Sequence, residues 1–140
     1  MQPFVGEWIE QGSTRGASPI DLGLITFEWA LRGRFLLMRT ERNHPDIPEN
    51  AALIGDDAHE DDYSVHYFDS LGMKRIYRMT FRDRTWTMSR HEPDFAVPEF
   101  AQRFLGTFAD DYNSIEGAWQ TSDDGVTWDH DFGLLYTRVR

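Results

Sequence analysis

The sequence predicts an all-β chain, a single up-and-down antiparallel barrel of about ten strands. Three observations carry this. Short runs of aromatic, aliphatic and β-branched residues alternate with polar ones at period two. The runs recur at intervals of about ten residues, separated by Gly, Asp, Asn, Ser and Pro. No segment shows a sustained 3.6-residue apolar period, so there is no helix to carry a parallel crossover. A meander of this kind removes its sheet edges by closing on itself. A two-sheet sandwich is the alternative.

The first run is Phe4 to Gly12. Leu22 to Leu31 and Phe35 to Arg42 follow, joined by a tight hairpin at Arg32-Gly33-Arg34 with a glycine free to take positive φ. Ala51 to Gly55 is shorter. Tyr63 to Asp69 and Arg75 to Arg82 flank Ser70-Leu71-Gly72-Met73, and Thr85 to Arg90 comes after Asp83-Arg84. Gln102 to Ala109, Ser114 to Thr121 and Thr127 to Val139 complete the set. Their separators, Asp110-Asp111-Tyr112-Asn113 and Ser122-Asp123-Asp124-Gly125-Val126, are turn formers. Residues 43–50, 56–62 and 92–101 read as loops. In the last of these, Pro98-Glu99-Phe100-Ala101-Gln102 has the composition of a short helix start.

The 140 residues fit one domain, 1–140, large enough to bury a core without staples. The absence of cysteine excludes disulfides and thiolate chemistry. The N-terminal residues carry no basic and apolar leader pattern, and no stretch approaches the roughly 18 apolar residues of a membrane helix. A soluble, cytoplasmic protein is expected, with no membrane partner. The net charge of −10, from 14 basic and 24 acidic residues, repels phosphate backbones, so no nucleic acid is expected either. Aromatic residues make up 14 % of the chain, which means a dense aromatic core or a ring-lined cavity.

Strand alternation sorts the side chains, because one fixed residue sets each strand. With Trp8 inward, Phe4, Gly6 and Glu10 follow. Taking the more apolar set elsewhere places Trp29, Tyr67, Tyr77, Trp86, Phe104 and Trp119 inside, with Arg39, Glu41, Arg90 and His130 as the polar remainder. These ten residues are the candidate ligand-binding set. An interior arginine needs a carboxylate, a ring or a ligand beside it. A planar guanidinium in an aromatic pocket suits an anionic or carbonyl-bearing molecule.

The two termini add a resemblance. Gly6-Glu7-Trp8 is similar to the Gly-x-Trp signature of calycin (lipocalin-like) barrels, and Tyr136-Thr137-Arg138 ends the chain with a cation. The resemblance implies that Trp8 closes one end of the barrel, that Arg138 packs over its ring and that Gly6 belongs to the same closure. The chain as a whole resembles a family of small bacterial proteins with lipocalin-like barrels. The stretches that carry this are Phe27-Glu28-Trp29-Ala30-Leu31, His66-Tyr67-Phe68-Asp69-Ser70, Gln102-Arg103-Phe104 with Gly106-Thr107-Phe108, and Trp119 to Trp128. That likeness implies a fold and no particular activity. Fatty-acid-binding barrels use an Arg-x-Tyr pair on the last strand, where this chain has the reverse order Tyr136-Thr137-Arg138. Nitrobindin-like barrels hold haem through a C-terminal histidine, for which His130 is the one counterpart here, in a different setting.

No nucleophile motif is present, and His44, His59, His66, His91 and His130 lack metal-ligand spacing, so no metal and no catalytic residue are assigned. The acidic run Asp56 to Asp62 lacks the glycine and spacing of a calcium loop. The leading expectation is a protein that binds a small hydrophobic or aromatic, possibly anionic, ligand in its barrel, with no cofactor. It requires a cavity of roughly 300 Å³ or more. The alternatives are an enzyme using His130 or Glu41 as base, a haem barrel using His130, and an interaction module with a filled barrel. The last would form a homodimer through outward Leu36 and Met38.

Overall fold

A computed structural model describes residues 1–14, 17–57 and 62–140. The strands are β1 (Gly6–Ser13), β2 (Ile20–Ala30), β3 (Phe35–Arg42), β4 (Asn50–Asp56) and β5 (Asp62–Asp69). They continue as β6 (Lys74–Arg82), β7 (Thr85–Arg90), β8 (Ala101–Phe108), β9 (Ser114–Ser122) and β10 (Asp129–Arg138). Each pairs antiparallel with its successor and β10 pairs with β1, giving a closed ten-stranded up-and-down barrel. Ala101 and Gln102 begin β8, so the expected helix start at Pro98 is absent; the residues instead pair with Ser122 and Thr121. A 3-10 turn at Gln2–Phe4 precedes β1.

Antiparallel succession puts alternate connections at opposite ends. One end carries the N-terminal turn, the chain terminus and the hairpins at 31–34, 83–84 and 109–113. There Phe4 enters the barrel and meets the rings of Phe27, Phe81, Trp86 and Phe108 at centroid separations of 5.4, 5.0, 5.0 and 5.0 Å. Such edge-on and tilted pairs contribute about 0.5–1.5 kcal/mol each beyond their burial. Trp8 is fully buried, donates its indole N–H to the Phe4 carbonyl at 2.9 Å, and lies under the Arg138 guanidinium at 4.1 Å. Arg138 in turn donates to the Val5 and Pro3 carbonyls at 2.8 and 2.6 Å, tying the last strand to the N-terminal turn. Gly6 has φ +133°, and a Cβ there would overlap the Arg140 carbonyl. This end is sealed.

Two register details decide which side chains enter the barrel. Arg32-Gly33-Arg34 as a three-residue turn pairs Leu31 with Phe35. The structure instead pairs Ala30 with Phe35 and takes Leu31 into the turn at φ 53°. That single residue inverts the whole of β3. Leu36, Met38, Thr40 and Arg42 face inward, opposite the inward Phe27 and Ile25, whereas Leu37, Arg39 and Glu41 face out. On β10 the register slips between His130 and Phe132. His130 therefore pairs with outward Gln120, while Phe132 pairs with inward Trp119.

Candidate functional site

Above the aromatic plug the barrel is hollow. A cavity of about 310 Å³ opens toward the loops at 43–49, 70–73 and 91–100. Trp86 stands between plug and cavity, with Phe104 at 4.7 Å and Tyr136 at 6.0 Å between ring centroids. The walls are largely apolar: Leu22 and Ile25 from β2, Met38 from β3, Trp119 from β9, and Phe132 and Leu134 from β10. Tyr67 and Tyr77 complete them with an edge-on pair at 5.9 Å, and Tyr77 meets Trp119 at 5.5 Å.

The polar groups fall on two opposite walls. On one, Glu10 forms a buried ion pair with Arg42 and accepts from the Tyr136 hydroxyl. Burial, and then the Glu10 carboxylate beside it, push the Tyr136 hydroxyl well above its ordinary range. Arg42 also donates to the Pro48 carbonyl at 3.0 Å, fastening the 43–49 loop over the rim. The other wall is formed by β5, β6 and β8, with β6 five strands from β1 in the ten-membered ring. There Arg75 Nη1 donates to Gln102 Oε1 at 3.1 Å and approaches the Tyr77 hydroxyl at 3.4 Å. Tyr67 donates to Asp69 at 3.1 Å, and burial followed by that carboxylate raises its hydroxyl far above the ordinary phenol range. Two buried polar atoms of cavity-lining residues, Trp86 Nε1 and Asn50 Oδ1, have no hydrogen-bond partner.

Of the sequence-derived set, Tyr67, Tyr77, Trp86 and Trp119 line the cavity. Phe104 is buried behind them, edge-on to Trp86 and tilted against Trp119 at 5.4 Å. Arg90 lies at the mouth but turns from the cavity to Asp94, with bonds of 2.8 and 3.1 Å. Trp29 keeps its expected phase but sits at the sealed end, 44 % exposed and donating to Gln2 at 3.0 Å. Arg39 and Glu41 are corrected to the outer face by the β3 register, with Arg39 reaching Glu28 in an exposed pair. His130 is corrected to the outer face by the β10 bulge. Trp128 is outside too, beneath the Arg103 guanidinium at 4.1 Å.

These placements remove the groups on which the alternatives stood. The proposed bases His130 and Glu41 are both exposed on the outside, and among the described residues no histidine lines the cavity. Leu36 is fully buried and Met38 lines the cavity, so neither forms an outer dimer seam. Within the acidic run, Ala58 to Asp61 lie outside the described residues. Among the described residues, no group of three or more His, Asp or Glu side chains is placed to hold a metal ion. None of the described helices is long and apolar enough to cross a membrane.

Sequence reasoning missed Arg42, Arg75, Gln102, Met38 and Asn50. Arg75 and Gln102 were within reach: each is one alternation beyond an inward residue, Tyr77 and Phe104. Arg42 and Met38 depended on the turn register, which composition does not state.

Fold and site together define a closed barrel that is packed solid at one end and hollow at the other. No protein-family model and no curated protein matches the chain. Among solved structures it is similar to the crystal structure of Rv2717c from M. tuberculosis, with a TM-score of 0.64 and 13 % identity over 99 % of this chain and 94 % of that one. The likeness is one of fold.

Proposed function

We propose that the protein is a lipocalin-like binding protein that holds one small apolar or aromatic molecule in the hollow half of its barrel. The carrying observation is the cavity itself, about 310 Å³ with mostly apolar and aromatic walls, which meets the size the reading requires. The Gly6, Trp8 and Arg138 closure supports the lipocalin-like assignment, because it reproduces the end-plug geometry that the resemblance implies.

Titration with 2-naphthol, a neutral two-ring probe, tests the reading through quenching of tryptophan fluorescence. Saturable 1:1 binding is expected, and Met38→Trp, which fills the cavity from β3, should abolish it while leaving the fold intact by circular dichroism. Binding that persists unchanged in Met38→Trp, or no saturable binding, would count against a cavity ligand.

A further inference from the structure

Among the described residues three arginines stand at the mouth of the barrel, and two of them carry their own counter-ion. Arg42 is paired with Glu10, and Arg90 is paired with Asp94. Arg75 has no carboxylate within ion-pair distance among the described residues, although the chain carries a net charge of −10. Its holders are neutral: the Gln102 amide oxygen and the Tyr77 hydroxyl, both on Nη1. The other edge of the guanidinium, Nε with Nη2, is the edge that takes a carboxylate side-on. Among the described residues it meets the Met73 sulfur, 3.9 Å from Nη2.

The position of Arg75 gives that edge a purpose. It lines the barrel cavity and also an outer groove of about 500 Å³ between the 70–73 turn and the 91–100 loop. It therefore marks the point where the two hollows meet. Asp69, the acid closest in sequence on this rim, is already held by Tyr67 and by the Leu71 and Met73 amides. Asp94 is held by Arg90 and by the Ile76 amide at 2.9 Å.

We propose that Arg75 is the anion-recognition residue of the site and that the natural ligand is an aromatic monocarboxylate. Its rings lie among Tyr67, Tyr77, Trp119 and Phe132, and its carboxylate docks on the open guanidinium edge at the rim. The inference deepens the binding function proposed above and rests on it. Among the three arginines described at the mouth, Arg75 alone lacks a counter-ion, which matches a single negative charge on the ligand. Gln102 and Tyr77 fix the guanidinium plane in advance, so less freedom is lost on binding.

The test compares 2-naphthoate with 2-naphthamide, a neutral isostere, by isothermal titration of the wild type and of Arg75→Gln and Arg75→Lys. Charge-assisted bonds predict that naphthoate binds the wild type at least about tenfold more tightly than the amide. Arg75→Gln should erase that preference while still binding the amide, and Arg75→Lys should keep part of it. Equal affinity for the two probes in the wild type overturns the anion assignment and leaves the apolar-ligand function standing. A preference that survives Arg75→Gln assigns the anion to another cation and overturns the role of Arg75. Failure of both probes and of 2-naphthol overturns the binding function itself, and this inference with it.

Discussion

The two ends of the barrel use the same residue type for opposite purposes. At the sealed end Phe4, Trp8, Phe81 and Phe108 meet ring against ring, and the arginine packed on them, Arg138, spends its donors on backbone carbonyls and its face on an indole. At the open end the rings of Tyr67, Tyr77 and Trp119 also touch edge-on, yet they stand around a hollow. The arginines there are held by side chains that reach across strands and loops. The difference lies in what fills the axis. Phe4 folds back from the N-terminal turn into the sealed end, whereas among the described residues no chain segment enters the other. An aromatic excess is thus split between a core that stabilises and a wall that leaves space.

Substitutions at three places sharpen that contrast. The largest effect is expected at the sealed end: Trp8→Ala removes a fully buried indole and the stacking partner of Arg138. It should cost about 3–5 kcal/mol in urea unfolding. A loss below about 1 kcal/mol would mean that the plug is not the stabilising core.

Next comes the buried pair on the cavity wall. Glu10→Leu strands Arg42 and removes the acceptor of Tyr136, and should cost roughly 3 kcal/mol. Adding Arg42→Met should recover most of this, because a buried pair replaced whole by apolar side chains is near neutral. If the double variant is no better than the single, the pair does more than balance its own charges.

The smallest effect is at the rim. Asp94 is held well below the usual carboxylate range, first by the hydrogen-bonded Arg90 guanidinium and, against the opposing effect of burial, by the Ile76 and Ala96 amides. Its folded pKa lies below its unfolded one, so its contribution is complete above the unfolded value of about 3.9 and is lost as pH falls below it. Asp94→Asn should therefore lower stability by about 1–2 kcal/mol at pH 7. The gap between wild type and variant should narrow at pH 3. A gap independent of pH would show that Asp94 acts without its charge.

Much of the fold was legible because it rests on local chemistry. The expected runs Phe35 to Arg42, Thr85 to Arg90 and Ser114 to Thr121 coincide with strands to within one residue, since each is bounded by residues that favour turns. The sealed end was legible through resemblance rather than local chemistry, as Gly6, Trp8 and Arg138 hold the places that the likeness to calycin barrels implies. The site was only half legible. Tyr67, Tyr77, Trp86 and Trp119 follow from alternation on strands that keep their register. Arg39, Glu41 and His130 were misplaced because a one-residue difference in a turn or a bulge moves a side chain through the wall of a barrel. Composition signals such a difference weakly: both possible faces of β3 offer two large apolar residues.

By itself the sequence determined the number and order of the strands and the position of most turns. These depend on backbone preference and on period-two patterning, which neighbours in the chain already express. Only the tertiary structure decided that β3 turns Arg42 inward to Glu10, that β10 turns His130 outward, and that Arg75 meets Gln102 and Tyr77. Those outcomes depend on the register between strands and on which side chains meet across a closed ring. They are distances between residues far apart in the chain, and no local pattern contains them.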